Sequence, residues 1–206
     1  MEKIEQAIEQ AIAFKGKRKF QQKVDLAVNF ERVDFKKPEN RPLIEIELPY
    51  APSNFKVAVF ADGSPAVEAK KYADLVIGGS EIQNYVTDKK KQKELLKYQL
   101  LSTPQLMTVV GKQLGQVLGS KGKLPKPIPP TVDLKSFIEK SRKTIFLRSK
   151  GKYLPVLHCI IGNENMSKEE ITENASAVLD VLRKRYGETT ITSVYVKLTM
   201  GKAFKA

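Results

Sequence analysis

The sequence predicts an α/β protein of two domains, the second inserted into the first. Three observations carry this. Residues 23–30, 43–48 and 190–198 alternate apolar and polar with a period of two, the pattern of strands with one buried face. KVAVF (56–60) and DLVIGG (74–79) are instead continuous apolar runs, as in strands buried on both faces, and helical segments separate them. The one-sided pattern then returns near Lys143. Both chain ends therefore build one discontinuous domain, 1–51 with 142–206, and residues 52–141 form an inserted parallel α/β domain. Two connections, near residues 52 and 142, are expected to act as a hinge between them.

Taken in order, Ile4, Ala7, Ile8, Ala11 and Ile12 recur at helical spacing, and that helix is expected to end near Gly16. A basic run follows, Lys15, Lys17, Arg18 and Lys19, and then Phe20. Val24, Leu26, Val28 and Phe30 mark the buried side of a strand. KKPENRP (36–42) reads as loop, and Ile44, Ile46 and Leu48 as a second one-sided strand stopped by Pro49 and Pro52. In the insert, a helix carries Ala66, Val67, Ala69 and Ala73, and a Lys-rich helical stretch spans 80–97. A strand begins at Tyr98, and Thr103-Pro104 opens the next helix with an N-cap and a proline at its first position. Gly111, Gly115 and Gly119 recur every four residues, a spacing that lets a helix approach a neighbour closely. LPKPIPP reads as a loop edge. Strand candidates follow at 144–149 and 154–162, around Gly151. Ser167 with Glu170 is a capping box, Ile171, Ala175, Val178 and Leu182 are the buried stripe of that helix, and Gly187 ends it.

Charge limits the partners. There are 36 Lys and Arg against 23 Asp and Glu, a net charge of +13, and the pI is near 9.7. Such a surplus favours polyanions and speeds their encounter. The two predicted domains carry similar surpluses, so net charge does not say which one binds. Clustering does favour the terminal domain, through Lys15–Lys19, Arg148–Lys152 and Lys197–Lys205. No apolar run has the length of a membrane span. MEKIEQAIEQAIAFKGK does not read as a signal peptide. Cys159 is the single cysteine, which excludes an intramolecular disulfide and points to a cytoplasmic setting.

Catalytic chemistry finds little support. His158 and Cys159 are the only histidine and cysteine, and as neighbours in a strand they point to opposite faces. Cys159 reads as a core thiol. Zinc spacings are absent, and the glycines of 111–122 match neither a phosphate loop nor a dinucleotide fingerprint. No enzyme activity, cofactor or metal is expected.

The last stretch, TITSVYVKLTMGKAFKA, joins a strand to a candidate site. Val194, Val196 and Leu198 form one side, and Ser193, Tyr195 and Lys197 the other. Thr199, Met200 and Gly201 then place a hydroxyl, a soft apolar side chain and an open backbone beside Lys202 and Lys205. Such a set can meet the 2′-hydroxyls and phosphates of folded RNA. A final strand with a basic, solvated tail is the bland alternative.

SVYVKLTMG resembles the C-terminal signature of the first-numbered universal family of large-subunit ribosomal proteins, which forms the mobile side stalk beside the tRNA exit site. The likeness covers most of the chain. KRKFQQKVDLAVNF, KKPENRP with IELP, ADLVIGGSEI and TPQLMTVVGKQLGQVLGSKGKLPKP each resemble segments of that family, and the short N-terminus with KKPENRP looks archaeal. The resemblance implies a terminal-ends domain with a split β-α-β core and an inserted, Rossmann-like three-layer domain that binds no cofactor. It implies a structural role in the large subunit, binding to the rRNA side stalk, help in releasing deacylated tRNA from the exit site, and repression of the protein's own mRNA. The free protein is expected to be a monomer.

Carried over by motif position, the RNA-binding residues are Lys19, Phe20, Lys23, Ser193, Thr199, Met200 and Gly201. Lys23 stands where many relatives have Thr, and Lys197-Leu198 where some have Thr-Thr. Lys19 would supply phosphate contacts. Ser193, Thr199 and the Met200-Gly201 backbone would approach ribose and base edges. His158 also matches a family position. Two other classes stay open: a general nucleic-acid binder governed by charge, and a nucleotide-dependent enzyme using the insert.

Overall fold

A computed structural model describes residues 2–40, 42–130, 132–148 and 154–206. The expected Gly151 turn and the lysines of 150–152 lie outside the described residues. The chain begins with α1 (Glu2–Ala13), β1 (Lys23–Phe30) and β2 (Leu43–Glu47). Next come β3 (Val57–Phe60), α2 (Gly63–Ala69), β4 (Leu75–Ile77), α3 (Ile82–Thr87), α4 (Lys89–Leu95), β5 (Gln99–Ser102), α5 (Pro104–Ser120), β6 (Lys126–Pro127) and α6 (Leu134–Lys143). It ends with β7 (Thr144–Arg148), β8 (Val156–Asn163), α7 (Lys168–Tyr186), β9 (Ile191–Leu198) and β10 (Ala203–Lys205). Two compact units result, Met1–Ser53 with Lys143–Ala206, and Asn54–Arg142. The fold is mixed α/β, with antiparallel sheets in one unit and a parallel sheet in the other.

In the outer unit a four-stranded sheet runs β10-β9-β1-β8. β1 is antiparallel to both β8 and β9, so β8–α7–β9 is a split β-α-β with β1 between its strands. The alternation of β1 buries Val24, Leu26, Val28 and Phe30. Buried residues of α1 (Ile4, Ala7, Ile8, Ala11) and of α7 (Ile171, Ala175, Val178, Leu182) form the apolar stripes of the two helices that pack with this sheet. α1 stops at Ala13, before Gly16. The register of β1 against β8 slips between Val24 and Asp25. That bulge turns Ile161 and Gly162 inward together. A Cβ on Gly162 would lie 2.9 Å from Ile171 Cγ1, which is why glycine stands there.

α7 begins with the full capping box between Ser167 and Glu170, and ends at Gly187, whose φ of +89° suits glycine. A separate antiparallel ribbon pairs β2 with β7, Glu47 opposite Thr144, and Leu48 N–H donates to Lys143 O (3.1 Å) just beyond it. The fully buried Asn174 of α7 sews the following segment down. Its amide donates to Tyr50 O (3.1 Å) and Ile161 O (2.8 Å), and its Oδ1 accepts from Tyr50 N–H (3.0 Å).

The inserted unit is a parallel sheet in the order β4-β3-β5-β6. Helices cover both faces. Ile82, Leu95, Leu106, Val110, Leu114 and Leu118 bring α3, α4 and α5 onto one side. Ala69, Leu134 and Ile138 bring α2 and α6 onto the other. Three details depart from expectation. The 80–97 stretch breaks because Asp88 turns extended and its carboxylate accepts from Lys90 N–H (2.8 Å), capping a new helix. A Cβ on Gly111 or Gly115 would meet nothing within 4 Å, so their spacing serves no close helix contact. Lys126–Pro127, expected in a loop, pairs as an edge strand with Leu101–Ser102.

Candidate nucleic-acid interface

Among the described residues, no helix covers one face of the outer sheet. Every second residue of β1 points there: Lys23, Asp25, Ala27 and Asn29. Cross-strand register brings Lys197 and Ile160 to either side of Asp25, and Tyr195 and His158 to either side of Ala27. The face is a shallow saddle of about 550 Å³. On this face Asn29 Nδ2 donates to Ser193 Oγ at 2.9 Å. Burial raises the Asp25 carboxyl above its ordinary value of 3.8, while Lys197, His158 and Lys23 pull it back. His158 is exposed on this face and Cys159 is buried behind it. Burial pushes the Cys159 thiol up to about 12, which leaves it unreactive.

At one end of the saddle β9 runs into the turn Leu198–Gly201. Thr199 extends the ladder by a step: Lys23 N–H donates to Thr199 Oγ1 (3.0 Å), and Thr199 N–H (3.0 Å) and Oγ1 (3.3 Å) donate to Lys23 O. Gly201 N–H donates to Leu198 O (2.9 Å), and a Cβ there would sit 3.1 Å from Leu198 Cβ. Met200 N–H donates to Gln22 Oε1 (3.2 Å). All three amides of Thr199-Met200-Gly201 are thus used inside the protein. The carbonyls of Thr199 and Met200 accept no hydrogen bond among the described residues. The turn therefore offers acceptors and the exposed Met200 side chain, 60% accessible, but no amide donor. That narrows the expected backbone contact to one kind of partner, a hydroxyl or amino donor.

Beside the turn lies the basic loop. Lys15, Lys17, Arg18 and Lys19 are exposed, and Phe20 is 51% accessible. None of Gly16–Phe20 makes a hydrogen bond or ion pair with a described residue. Phe14, at the loop's start, packs against Phe204 with ring centroids 5.9 Å apart, and Lys202 Nζ stands 5.2 Å from the Phe14 ring. The expected residues thus divide. Lys23 is hydrogen-bonded to Thr199 at one corner, Met200 and Gly201 follow in the same turn, and Lys19 and Phe20 lie on the loop that enters it. Ser193 shares the face but lies six residues back along β9, about 20 Å at strand rise. Arg148 ends β7, and the rest of the expected 148–152 cluster lies outside the described residues.

One residue at the corner has no place among the sequence expectations. Gln22 is 1% exposed. Its Nε2 donates to Lys15 O (2.7 Å), its Oε1 accepts from Met200 N–H, and its own carbonyl accepts from Glu164 N–H (3.1 Å). The signal was present in the pattern. Extending the β1 alternation one step back puts Gln22 on the buried side with Val24, and a polar group there must find partners.

Comparisons with known proteins agree with this architecture. The model of the "Ribosomal protein L1p/L10e family" matches residues 9–202. Three relatives, each called large ribosomal subunit protein uL1, align over nearly their whole length. That of Archaeoglobus fulgidus is 41% identical, covering 99% of this chain and 97% of the relative. That of Thermofilum pendens is 42% identical, covering 98% and 92%. That of Thermococcus kodakarensis is 38% identical, covering 99% and 96%. These relatives are ribosomal proteins and not enzymes, and the chain itself belongs to the ribosomal protein L1p/L10e family.

Proposed function

We propose that this chain is a structural constituent of the large ribosomal subunit that binds the side-stalk rRNA through the corner where the open sheet face, the Thr199–Gly201 turn and the basic loop meet. The observation that carries the reading is the chemistry of that corner. Acceptors project from a turn whose donors are all used, and exposed cations flank it on a loop. Acceptors suit the 2′-hydroxyls of RNA and repel phosphates, while lysines suit phosphates. The two sets divide the work. Lys19 and its neighbours supply affinity that falls with salt. The Thr199 and Met200 carbonyls read hydroxyl or amino donors, and the thioether of Met200 and the ring of Phe20 offer flat apolar cover to a ribose or base. Ser193, far along the same face, touches a second point of the RNA. DNA, lacking 2′-hydroxyls, would lose the first of these contacts.

In this reading the protein is a monomer when free, helps deacylated tRNA leave the exit site by moving with the stalk, and represses its own mRNA by binding a stalk-like structure there. Competition binding tests the central claim. The protein is titrated against a side-stalk rRNA fragment and a scrambled RNA of equal length at two salt concentrations. A preference of about a thousandfold that persists at the higher salt supports a shaped site. Equal affinities that collapse together would leave only a polyanion binder. Repression is checked separately, by adding the protein to a translation reaction programmed with its own mRNA. Relief by the stalk fragment is expected, and no inhibition at all would remove the regulatory role.

A further inference from the structure

Gln22 connects two things that the chain keeps far apart. Lys15 O closes the neck of the basic loop, and Met200 N–H belongs to a turn 178 residues later. Among the described residues, Gln22 is the one whose side chain bonds both. The chemistry asks for a terminal amide of this length. It must donate from one atom and accept at the other, and both bonds are shielded from water because the residue is almost wholly buried. A glutamate keeps the acceptor and loses the donor, and an alanine loses both. Since Gly16–Phe20 make no hydrogen bond with a described residue, the loop's placement depends on its two ends: the Lys15 neck and the start of β1.

We propose that Gln22 is a positioning residue for RNA recognition. It holds the lysines of the loop and the acceptors of the Thr199–Gly201 turn at one spacing, so that both meet a single folded RNA. This rests on the RNA-binding reading above. It separates two quantities that simple charge would tie together. Releasing the clasp removes no lysine, so attraction to any RNA persists. What is lost is the fixed distance between cations and acceptors, which only a shaped RNA uses.

The test compares Gln22→Ala and Gln22→Glu with the unaltered protein, using the side-stalk rRNA fragment and the scrambled RNA at two salt concentrations. Exchange of the Met200 amide is followed by NMR. Gln22→Ala is expected to lower the preference for the stalk fragment roughly tenfold, the scale of one to two lost buried hydrogen bonds. Its affinity for scrambled RNA stays within about twofold, because the phosphate contacts are unchanged. Gln22→Glu loses less preference and keeps the Met200 amide protected, which a general loss of stability would not do. If both variants keep the full preference, or lose affinity for both RNAs in proportion, the positioning role is overturned. An unaltered protein with no preference overturns the RNA reading itself, and Gln22 with it. Should Gln22→Ala fail to fold, Gln22→Glu alone decides.

Discussion

The two four-stranded sheets of this molecule differ in what covers them. The inserted sheet is parallel, and each of its faces lies under helices, with Ala58 and Phe60 turned one way and Val57 and Val59 the other. The outer sheet is antiparallel, with helices on one side and a saddle of Asp25, Asn29, His158, Tyr195 and Lys197 on the other. Both units are basic, so charge alone cannot distinguish them. Coverage does. A sheet wrapped on both faces has only its strand ends to offer a partner, whereas a bare face offers a wide surface of fixed side-chain spacing. In the proposed reading, binding geometry follows from where helices are missing.

The comparison can be broken first at its structural root. Leu26 and Ala27 are neighbours on β1, one fully buried and one on the open face. Leu26→Ala should cost about 2–5 kcal/mol of stability in denaturant unfolding. Ala27→Ser should cost under about 0.5 kcal/mol, as for ordinary surface changes. Similar losses for both would mean that the open face is covered in solution. The next largest effect concerns binding. Met200→Ala and Thr199→Ala should each weaken stalk-rRNA binding by about 1–3 kcal/mol, Thr199→Ala in part because Lys23 N–H loses its acceptor. Unchanged affinity in both, with folding intact, would move the site elsewhere.

A finer effect concerns pH. Burial raises the Asp25 carboxyl, so the folded state binds more protons than the unfolded state between the ordinary 3.8 and the raised value. Stability conferred by the neutral form is full below 3.8 and is lost as pH rises through the folded value. Asp25→Asn should therefore stabilise the protein at pH 7, with the gain vanishing below pH 3.8. A gain that is constant from pH 3 to 7 would show that the charge is not its cause. The smallest effect is expected in the insert. Lys126→Ala should change stalk-rRNA affinity by less than about 0.5 kcal/mol. A loss matching that of Lys19→Ala would erase the contrast between the two units.

Much of the fold is written in local pattern. The alternation of 23–30, the capping box of Ser167 and Glu170, and the Thr103-Pro104 start are each decided by residues a few positions apart, and they stand where the pattern puts them. The break at Asp88 is local too, but a long run of helix-forming lysines outweighs one capping aspartate when the stretch is read as a whole. What stays hidden is long-range pairing. Asn29 with Ser193 and Gln22 with Met200 join residues more than 160 positions apart. Periodicity can place each on a face and cannot name its partner. The turn's donors are likewise invisible in TMG as letters. Only the partners Lys23, Leu198 and Gln22 show that its amides are spent and its carbonyls are not.

The ribbon of β2 and β7 carries a consequence for chain routing. With Glu47 opposite Thr144 and Leu48 bonded to Lys143, the chain re-enters the outer unit hydrogen-bonded to a residue only five positions before Ser53, where it leaves. Topologically this is a β-hairpin whose turn has been exchanged for a whole domain. A short turn joining Leu48 to Lys143 would close the same ladder. The outer unit would then become one continuous chain, with its open face, basic loop and Thr199–Gly201 turn all still encoded within it.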